Sequence, residues 1–130
     1  IQNIRVPTFV VGTERDHVAP WRSVYKIHSL SDADLTFVLT SGGHNAGIVS
    51  EPGHAGRRYR VGLRRMHDLC VSAEEWAERA ESLTGSWWEE WAGWLAAQSA
   101  PERVAPPLPG APDKGYKPLQ DAPCSYVLQR

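Results

Sequence analysis

The sequence predicts an α/β fold with a parallel sheet, followed by an irregular proline-rich tail, on three observations. Residues 6–11 and Leu35–Thr40 are β-rich and almost wholly apolar, as strands covered on both faces are. A segment with helical spacing lies between them, and strand, helix and strand within about 35 residues form a βαβ unit. Seven of the ten prolines lie in the last thirty residues, where missing amide donors exclude a regular helix or a central strand.

The first three elements follow from local signals. The first strand is closed by Gly12, and Pro7 lies at its start, where a strand tolerates proline. A helix is predicted from residue 21 or 22 to residue 30, because Pro20 fits a first turn and Val24 and Ile27 share a face. The second strand is closed by Ser41-Gly42-Gly43.

The segment after the second strand predicts no further strand. Residues 57–60, with the sequence Arg-Arg-Tyr-Arg, are interpreted as a basic loop. Two parallel strands alone would leave long unpaired edges, which natural proteins cover or pair. We therefore expect the missing neighbours of the sheet upstream of Ile1.

Two helices are predicted in the second half of the chain. Ser72 can cap the first of them, with Glu75 completing a capping box. Its inner stripe is predicted to contain Trp76, Ala80 and Leu83. Gly85 separates it from a second helix that opens at Ser86. In that helix an apolar stripe falls at i, i+4, i+7 and i+8: Trp87, Trp91, Trp94 and Leu95. Packing of this stripe against the sheet is favoured over an exposed docking surface.

Composition excludes several classes of function. The chain has 130 residues, 42% of them hydrophobic, and its net charge of −1 leaves no basic excess for a nucleic acid. No apolar run approaches the roughly 18–20 residues of a membrane span, and no signal segment opens the chain. Cys70 and Cys124 are too few for a disulfide scaffold, and the histidines lack ligand spacing, so neither a metal nor a cofactor is expected. A cytoplasmic setting fits these features.

Ionisable residues follow both predicted strands. Asp16 lies in the segment after the first strand, and His44 lies in the glycine-rich segment after the second. Because the carboxyl ends of parallel strands meet at one edge of a sheet, the two side chains are expected there together. An acid followed by a histidine is the order of the last two members of an α/β-hydrolase triad, in which the nucleophile comes first.

Simpler interpretations stand beside this one. Asp16 alone is typical of a turn or helix cap, and His44 alone is typical of a polar loop. Their order at two successive strand ends is what favours a catalytic pair. His17 is interpreted as an orienting or substrate-contacting group, or as a solvated neighbour. Neither Cys70 nor Cys124 lies in a nucleophile elbow, and both follow His44.

Three blocks of sequence identify a family by resemblance. They are Val-Val-Gly-Thr-Glu-Arg-Asp-His-Val-Ala-Pro-Trp at 10–21, Thr-Ser-Gly-Gly-His-Asn-Ala-Gly-Ile-Val at 40–49, and Gly-Ser-Trp-Trp-Glu-Glu-Trp at 85–91. The chain closely resembles the C-terminal end of polyhydroxyalkanoate synthases, also called poly(3-hydroxyalkanoate) polymerases, and the resemblance continues to its last residues. It departs from the family at Glu89, where proline is expected.

The resemblance implies an α/β-hydrolase fold and a Cys-His-Asp triad that polymerises (R)-3-hydroxyacyl-CoA with release of CoA. Asp16 matches the triad acid, His44 the triad histidine, and His17 the histidine that follows the acid. The catalytic cysteine is expected upstream, so the chain alone is expected to be inactive. Residues 1–100 would belong to the catalytic domain, and the tail at 101–130 would dock on it through its Tyr-Val-Leu ending.

The resemblance also implies partners, and alternatives to it remain open. The expected partners are the (R)-3-hydroxyacyl-CoA substrate, the growing polyester chain and the polymer granule surface, together with a homodimer by resemblance only. One alternative is the C-terminal part of an ordinary α/β-hydrolase esterase or thioesterase. The other is a non-catalytic module that binds granules through its tryptophan-bearing face.

Overall fold

In the computed structural model, which describes residues 1–129, four strands form one sheet in the order β1-β2-β3-β4. The strands are β1 (Thr8–Thr13), β2 (Leu35–Thr40), β3 (Arg58–Arg64) and β4 (Ser82–Thr84). The helices are α1 (Trp21–Tyr25), α2 (Ile27–Leu30), α3 (Ala73–Arg79) and α4 (Trp87–Ala97). By its contacts the chain divides into one unit at Ile1–Ser99 and a second that begins at Ala100.

The parallel pair predicted from the sequence forms one side of this sheet, with β1 at its edge. β1 and β2 are parallel, with Thr8 opposite Leu35 and Thr13 opposite Thr40. All six residues of β2 are buried, because the strand has neighbours on both sides and its faces are covered. β2 has the predicted bounds, whereas β1 begins and ends two residues later than predicted.

The predicted basic loop is wrong, because residues 58–64 form β3, antiparallel to β2. Its Tyr59 and Val61 alternate with arginines, which is the period of a strand with one buried face. Hydrogen bonds accommodate the arginines: Arg60 donates to the carbonyl oxygen of Ala80, and Arg64 donates to those of Ser31 and Ala33.

The sheet is therefore mixed rather than wholly parallel, although the α/β class is correct. β4 pairs antiparallel with β3, so two strands that follow β2 in the sequence extend the sheet on that side. The neighbours expected upstream of Ile1 are thus supplied in part by residues downstream. Among residues 1–129, no strand pairs with the outer edge of β1.

One face of the sheet is covered by α1 and α3 through an aromatic cluster. The segment predicted as one helix is interrupted at Lys26, so that α1 and α2 follow each other directly. Trp21 and Tyr25 pack with Phe37 of β2, and Trp76 of α3 meets Phe37 edge to face at a centroid distance of 5.0 Å. Gly62 of β3 makes room for this indole, since a Cβ there would lie 2.5 Å from Trp76 Nε1.

The cap of α3 is correct, but its predicted inner stripe is too long. The Ser72 hydroxyl accepts from the backbone N–H of Glu75, whereas the carboxylate of Glu75 pairs with Arg79 one turn later. Ala80 is the C-cap of this helix, and Leu83 lies in β4 rather than in the helix. The apolar spacing therefore continued across a helix end that the sequence did not mark with glycine or proline.

The second predicted helix, α4, begins after Ser86 and Gly85 as expected. Its tryptophan stripe divides into two parts. Trp87 is buried in a cluster with Val38 and Tyr59. Trp91 and Leu95 are each 41% exposed, so part of the stripe faces outward.

The second unit has the irregular backbone predicted for the proline-rich tail. Among residues 100–129 it contains two short 3-10 helices, Pro112–Lys114 and Ser125–Leu128, and one isolated bridge between Ala111 and Tyr116. Docking of the tail on the first unit stays a prediction, and Arg130 lies outside the described residues. No helix within residues 1–129 is long and apolar enough to span a bilayer.

The burial of His28 predicts that the protein loses stability in mild acid. Its ring is buried and stacks on Tyr25 at a centroid distance of 4.0 Å, with Nδ1 2.9 Å from the Tyr25 carbonyl oxygen. Burial lowers the pKa of His28 below 6.5, with Arg64 adding to the effect and the Tyr25 bond opposing it. The unfolded state therefore takes up this proton at a higher pH than the folded state, so stability falls as the pH falls below about 6.5.

We expect the free energy of unfolding, measured in urea, to decline between about pH 7 and about pH 5, and His28→Gln to flatten that decline. The control is His54→Gln, since His54 is an exposed histidine paired with Glu51. An unchanged slope in His28→Gln would contradict the prediction, whatever its stability at neutral pH.

Candidate active site

Asp16 lies in a tight turn that follows the carboxyl end of β1. One carboxylate oxygen, Oδ1, accepts from the backbone N–H groups of Val18 and Ala19, each at 2.8 Å. The other oxygen, Oδ2, accepts from the hydroxyl of Thr13 at 3.3 Å. These bonds hold the carboxylate in one orientation, and little water reaches it because the side chain is only 8% exposed.

His44 lies in the loop that follows the carboxyl end of β2, and it meets Asp16 directly. Its Nδ1 lies 2.9 Å from Asp16 Oδ2, while 48% of its side chain is exposed. A carboxylate only accepts hydrogen bonds, so Nδ1 carries the hydrogen and donates it. In the neutral ring Nε2 is then left unprotonated, which makes it the atom that can take up a proton.

The surroundings of Asp16 keep its carboxyl ionised. The backbone N–H of Ala19 has the largest effect and holds the pKa of Asp16 well below its usual value. Partial burial opposes this shift, and the bonds from His44 and Val18 add to it. At neutral pH Asp16 is therefore a carboxylate that fixes the histidine tautomer.

The two interpretations of Asp16 from the sequence are compatible in the structure. Its Oδ1 does what a turn residue does, since it satisfies two backbone donors. Its Oδ2 contacts His44, which is what a catalytic acid would do. The turn thus orients the carboxylate toward the histidine.

The other candidates lie apart from this contact. His17 is exposed, and within residues 1–129 its ring makes no hydrogen bond, so its function stays a prediction. Cys70 follows the end of β3 at which Arg64 pairs with Leu35, the first residue of β2. His44 follows the opposite end of β2. Cys70 therefore follows the end of the sheet opposite to the one that His44 follows. Cys124 belongs to the second unit.

Sequence reasoning missed the side chains that support the pair. The sequence predicts no function for Thr13, yet its hydroxyl donates to Asp16 Oδ2. The sequence predicts only that Trp87 packs in the core, yet its Nε1–H also donates to the carbonyl oxygen of Gly47, three residues after His44. The available signal was general, since a buried tryptophan needs a partner for its N–H. Among residues 1–129, no three His, Cys, Asp or Glu side chains are grouped so that they could hold a metal ion.

Comparison with known proteins relates the chain to one kind of enzyme. No protein-family model matches it. It is 34% identical over 127 residues to the poly(3-hydroxyalkanoate) polymerase subunit PhaC of Cupriavidus necator, covering 98% of this chain and 20% of that protein. It is 36% identical over 131 residues to the poly(3-hydroxyalkanoate) polymerase of Methylorubrum extorquens, covering 100% of this chain and 20% of that protein.

The poly(3-hydroxyalkanoate) polymerase 2 of Ectopseudomonas oleovorans is 32% identical over 130 residues, with 100% of this chain and 22% of that protein covered. The chain therefore spans about a fifth of the length of the curated relatives it matches. The resemblance inferred from three blocks of sequence is confirmed along nearly the whole chain.

Proposed function

We propose, from the relation of this chain to poly(3-hydroxyalkanoate) polymerases, that it is the C-terminal segment of such an enzyme. The enzyme would polymerise (R)-3-hydroxyacyl-CoA into polyester and release CoA. In it, Asp16 and His44 would be the acid and the histidine of a Cys-His-Asp triad on an α/β-hydrolase fold. The observation that carries the proposal is the contact of 2.9 Å between His44 Nδ1 and Asp16 Oδ2.

The first step assigns His44 the function of a general base. A cysteine thiol with a pKa of about 8.5 is mostly protonated at neutral pH, so Nε2 of His44 takes its proton. The thiolate then attacks the thioester carbonyl, and the bond to sulfur of CoA breaks. The CoA thiolate leaves with the proton that His44 took up, while the acyl group stays on the cysteine. Asp16 stabilises the transient imidazolium through Nδ1–H.

Chain growth needs a second deprotonation, that of a 3-hydroxyl group. Either His44 or Asp16 could accept this proton by chemical type. The two oxygens of Asp16 are already engaged by two backbone N–H groups, by Thr13 and by His44, and its side chain is largely buried. These contacts favour half-exposed His44 as the base, and Asp16 as the residue that orients it.

The nucleophile would come from a part of the polymerase outside this chain. Cys70 follows the end of the sheet opposite to the one that His44 follows, so its sulfur is a poor candidate for the nucleophile that must reach Nε2 of His44. The unpaired outer edge of β1 among residues 1–129 leaves room for a further strand of the complete enzyme. On its own the chain would therefore hold two members of the triad and be inactive.

The fate of the acyl group separates this proposal from the esterase alternative. We expect the complete polymerase that contains this segment, supplied with (R)-3-hydroxybutyryl-CoA, to release CoA and to form insoluble polyester. The isolated chain should do neither. An esterase or thioesterase would instead release soluble 3-hydroxybutyrate, and that product would contradict the proposal.

The same experiment tests contact with the polymer surface in the cytoplasm. Trp91 and Leu95 are exposed and line a groove of about 320 Å³ with Pro52, Trp88 and Ala92, which favours an apolar contact. We expect the polymerase to sediment with the polyester it makes. Recovery of active enzyme in the supernatant alone would contradict granule association. The homodimer expected from the resemblance stays a prediction.

A further inference from the structure

We infer that Trp87, assisted by its neighbours Ser86 and Trp88, is a positioning residue for His44. Residues 86–88 open α4 and hold the loop at 41–50, here called the His44 loop, through side-chain hydrogen bonds to its backbone. This inference rests on the proposed function of His44. It concerns a different part of the chain, about forty residues away in sequence.

Three consecutive side chains donate to three carbonyl groups of the His44 loop. Trp87 Nε1–H donates to the carbonyl oxygen of Gly47 at 3.1 Å, and Trp88 Nε1–H donates to that of Ile48 at 2.9 Å. The Ser86 hydroxyl donates to the carbonyl oxygen of Ser50. The second half of the loop is thus bound to the start of one helix at three points.

The donor of Trp87 is itself held by the core. Its indole is buried, stacks on Phe9 of β1 at a centroid distance of 6.3 Å, and packs with Val38 and Tyr59. It therefore has little freedom to move away from Gly47. The Gly47 carbonyl gives the buried indole N–H the partner that such a group requires.

Gly47 in turn contacts the residue that orients the catalytic acid. A Cβ at position 47 would lie 2.6 Å from Thr13 Cγ2, so only glycine lets the loop pack this closely on β1. The hydroxyl of the same Thr13 donates to Asp16 Oδ2. The hydrogen bond from Trp87 to Gly47 therefore helps to hold the His44 loop against Thr13, whose hydroxyl helps to set the position of Asp16.

Through these contacts a single side chain, that of Trp87, influences the positions of both His44 and Asp16. His44 is half exposed and lies three residues before Gly47, within a loop that turns through the bond from Gly47 N–H to the Gly43 carbonyl. The half-exposed imidazole keeps Nδ1 on Asp16 only while the backbone that carries it stays in place. Since errors of about 1 Å in the placement of a reacting group can cost about a hundredfold in rate, loss of the Trp87 bond should slow catalysis.

The test is Trp87→Phe in the complete polymerase, because phenylalanine keeps an aromatic ring against Phe9 while it removes the indole N–H donor together with part of the ring volume. We expect kcat for CoA release to fall by roughly tenfold to a hundredfold, with the KM for acyl-CoA nearly unchanged. The downfield proton resonance of His44 Nδ1–H should also broaden or shift. Trp88→Phe should give a smaller loss of the same kind.

The matched control is Trp94→Phe on the same helix. Trp94 also packs on Phe9, with a centroid distance of 5.6 Å, but within residues 1–129 its ring makes no hydrogen bond to the His44 loop. We expect it to lower the unfolding temperature no more than Trp87→Phe does, because Trp94 is half-buried whereas Trp87 is buried, and to leave kcat and the resonance unchanged.

The outcomes separate this inference from the proposed function. Normal kcat in Trp87→Phe, together with a severe loss in His44→Ala, would overturn the inference and leave the proposed function intact. Normal turnover in His44→Ala would instead overturn the proposed function. If Trp87→Phe fails to fold, Trp88→Phe decides: a lower kcat at an unchanged unfolding temperature supports the inference, and an unchanged kcat overturns it.

Discussion

His44→Ala in the complete polymerase should lower the rate of CoA release by roughly 10²–10⁴-fold while the protein stays folded. The variant loses the only atom, Nε2, that we assign to deprotonation of the nucleophile. Its effect on folding should be small, because the imidazole is half exposed and the loop is held through its backbone by residues 86–88. The measurement is CoA thiol released per unit time, with the unfolding temperature recorded for each variant.

The pH dependence of His44→Ala provides a second readout. A cysteine ionises without help as the pH approaches its own pKa of about 8.5, so the deficit in the acylation step should shrink there. His54→Ala is the matched control, since His54 is also exposed and also hydrogen-bonded through Nδ1 to a carboxylate, that of Glu51. Near-normal turnover in His44→Ala at neutral pH would contradict the assignment.

Asp16→Asn should be at least as damaging, although it replaces the carboxylate with a group of the same shape. The backbone N–H groups of Val18 and Ala19 require an acceptor, so the amide oxygen takes the place of Oδ1. The amide nitrogen then faces His44 Nδ1 and donates to it. This favours the tautomer with hydrogen on Nε2, which can no longer accept a proton.

The expected loss is about 10⁴-fold in kcat, by comparison with the orienting acid of serine-protease triads. The matched control is Asp34→Asn. Asp34 also accepts a backbone N–H, that of Met66, and its pKa is also lowered, chiefly by that bond, but it precedes β2 and so lies at the other end of the strand. Only Asp16→Asn should abolish CoA release, and equal losses in the two variants would indicate a general structural effect.

Much of the architecture around the candidate site could be predicted from local sequence signals. β2 has its predicted bounds because six consecutive apolar or β-branched residues end at Ser41 and two glycines. Ser72 and Ser86 begin α3 and α4 because their hydroxyls accept backbone N–H groups that the helices leave free. These signals reside within a few residues, so they need no knowledge of the rest of the chain.

The antiparallel half of the sheet could not be predicted in the same way. The segment at 58–64 is only seven residues long and contains three arginines. Its alternation of apolar and basic side chains also fits a solvated loop. What makes them a strand is pairing with β2 and acceptors for the guanidinium groups at Ala80, Ser31 and Ala33. Those partners are distant in sequence, and no short window of residues contains them.

Local sequence signals suffice to place an acid and a histidine after two parallel strands, and therefore to predict that Asp16 and His44 lie at the same end of the sheet. The folded chain is needed to show that the two side chains touch, which nitrogen of His44 faces the carboxylate, and which side chains hold the loop in place. The physical reason is distance along the chain. Strand and cap signals are local, whereas the hydrogen bonds from Trp87 and Trp88 join residues forty positions apart and exist only after the core has packed.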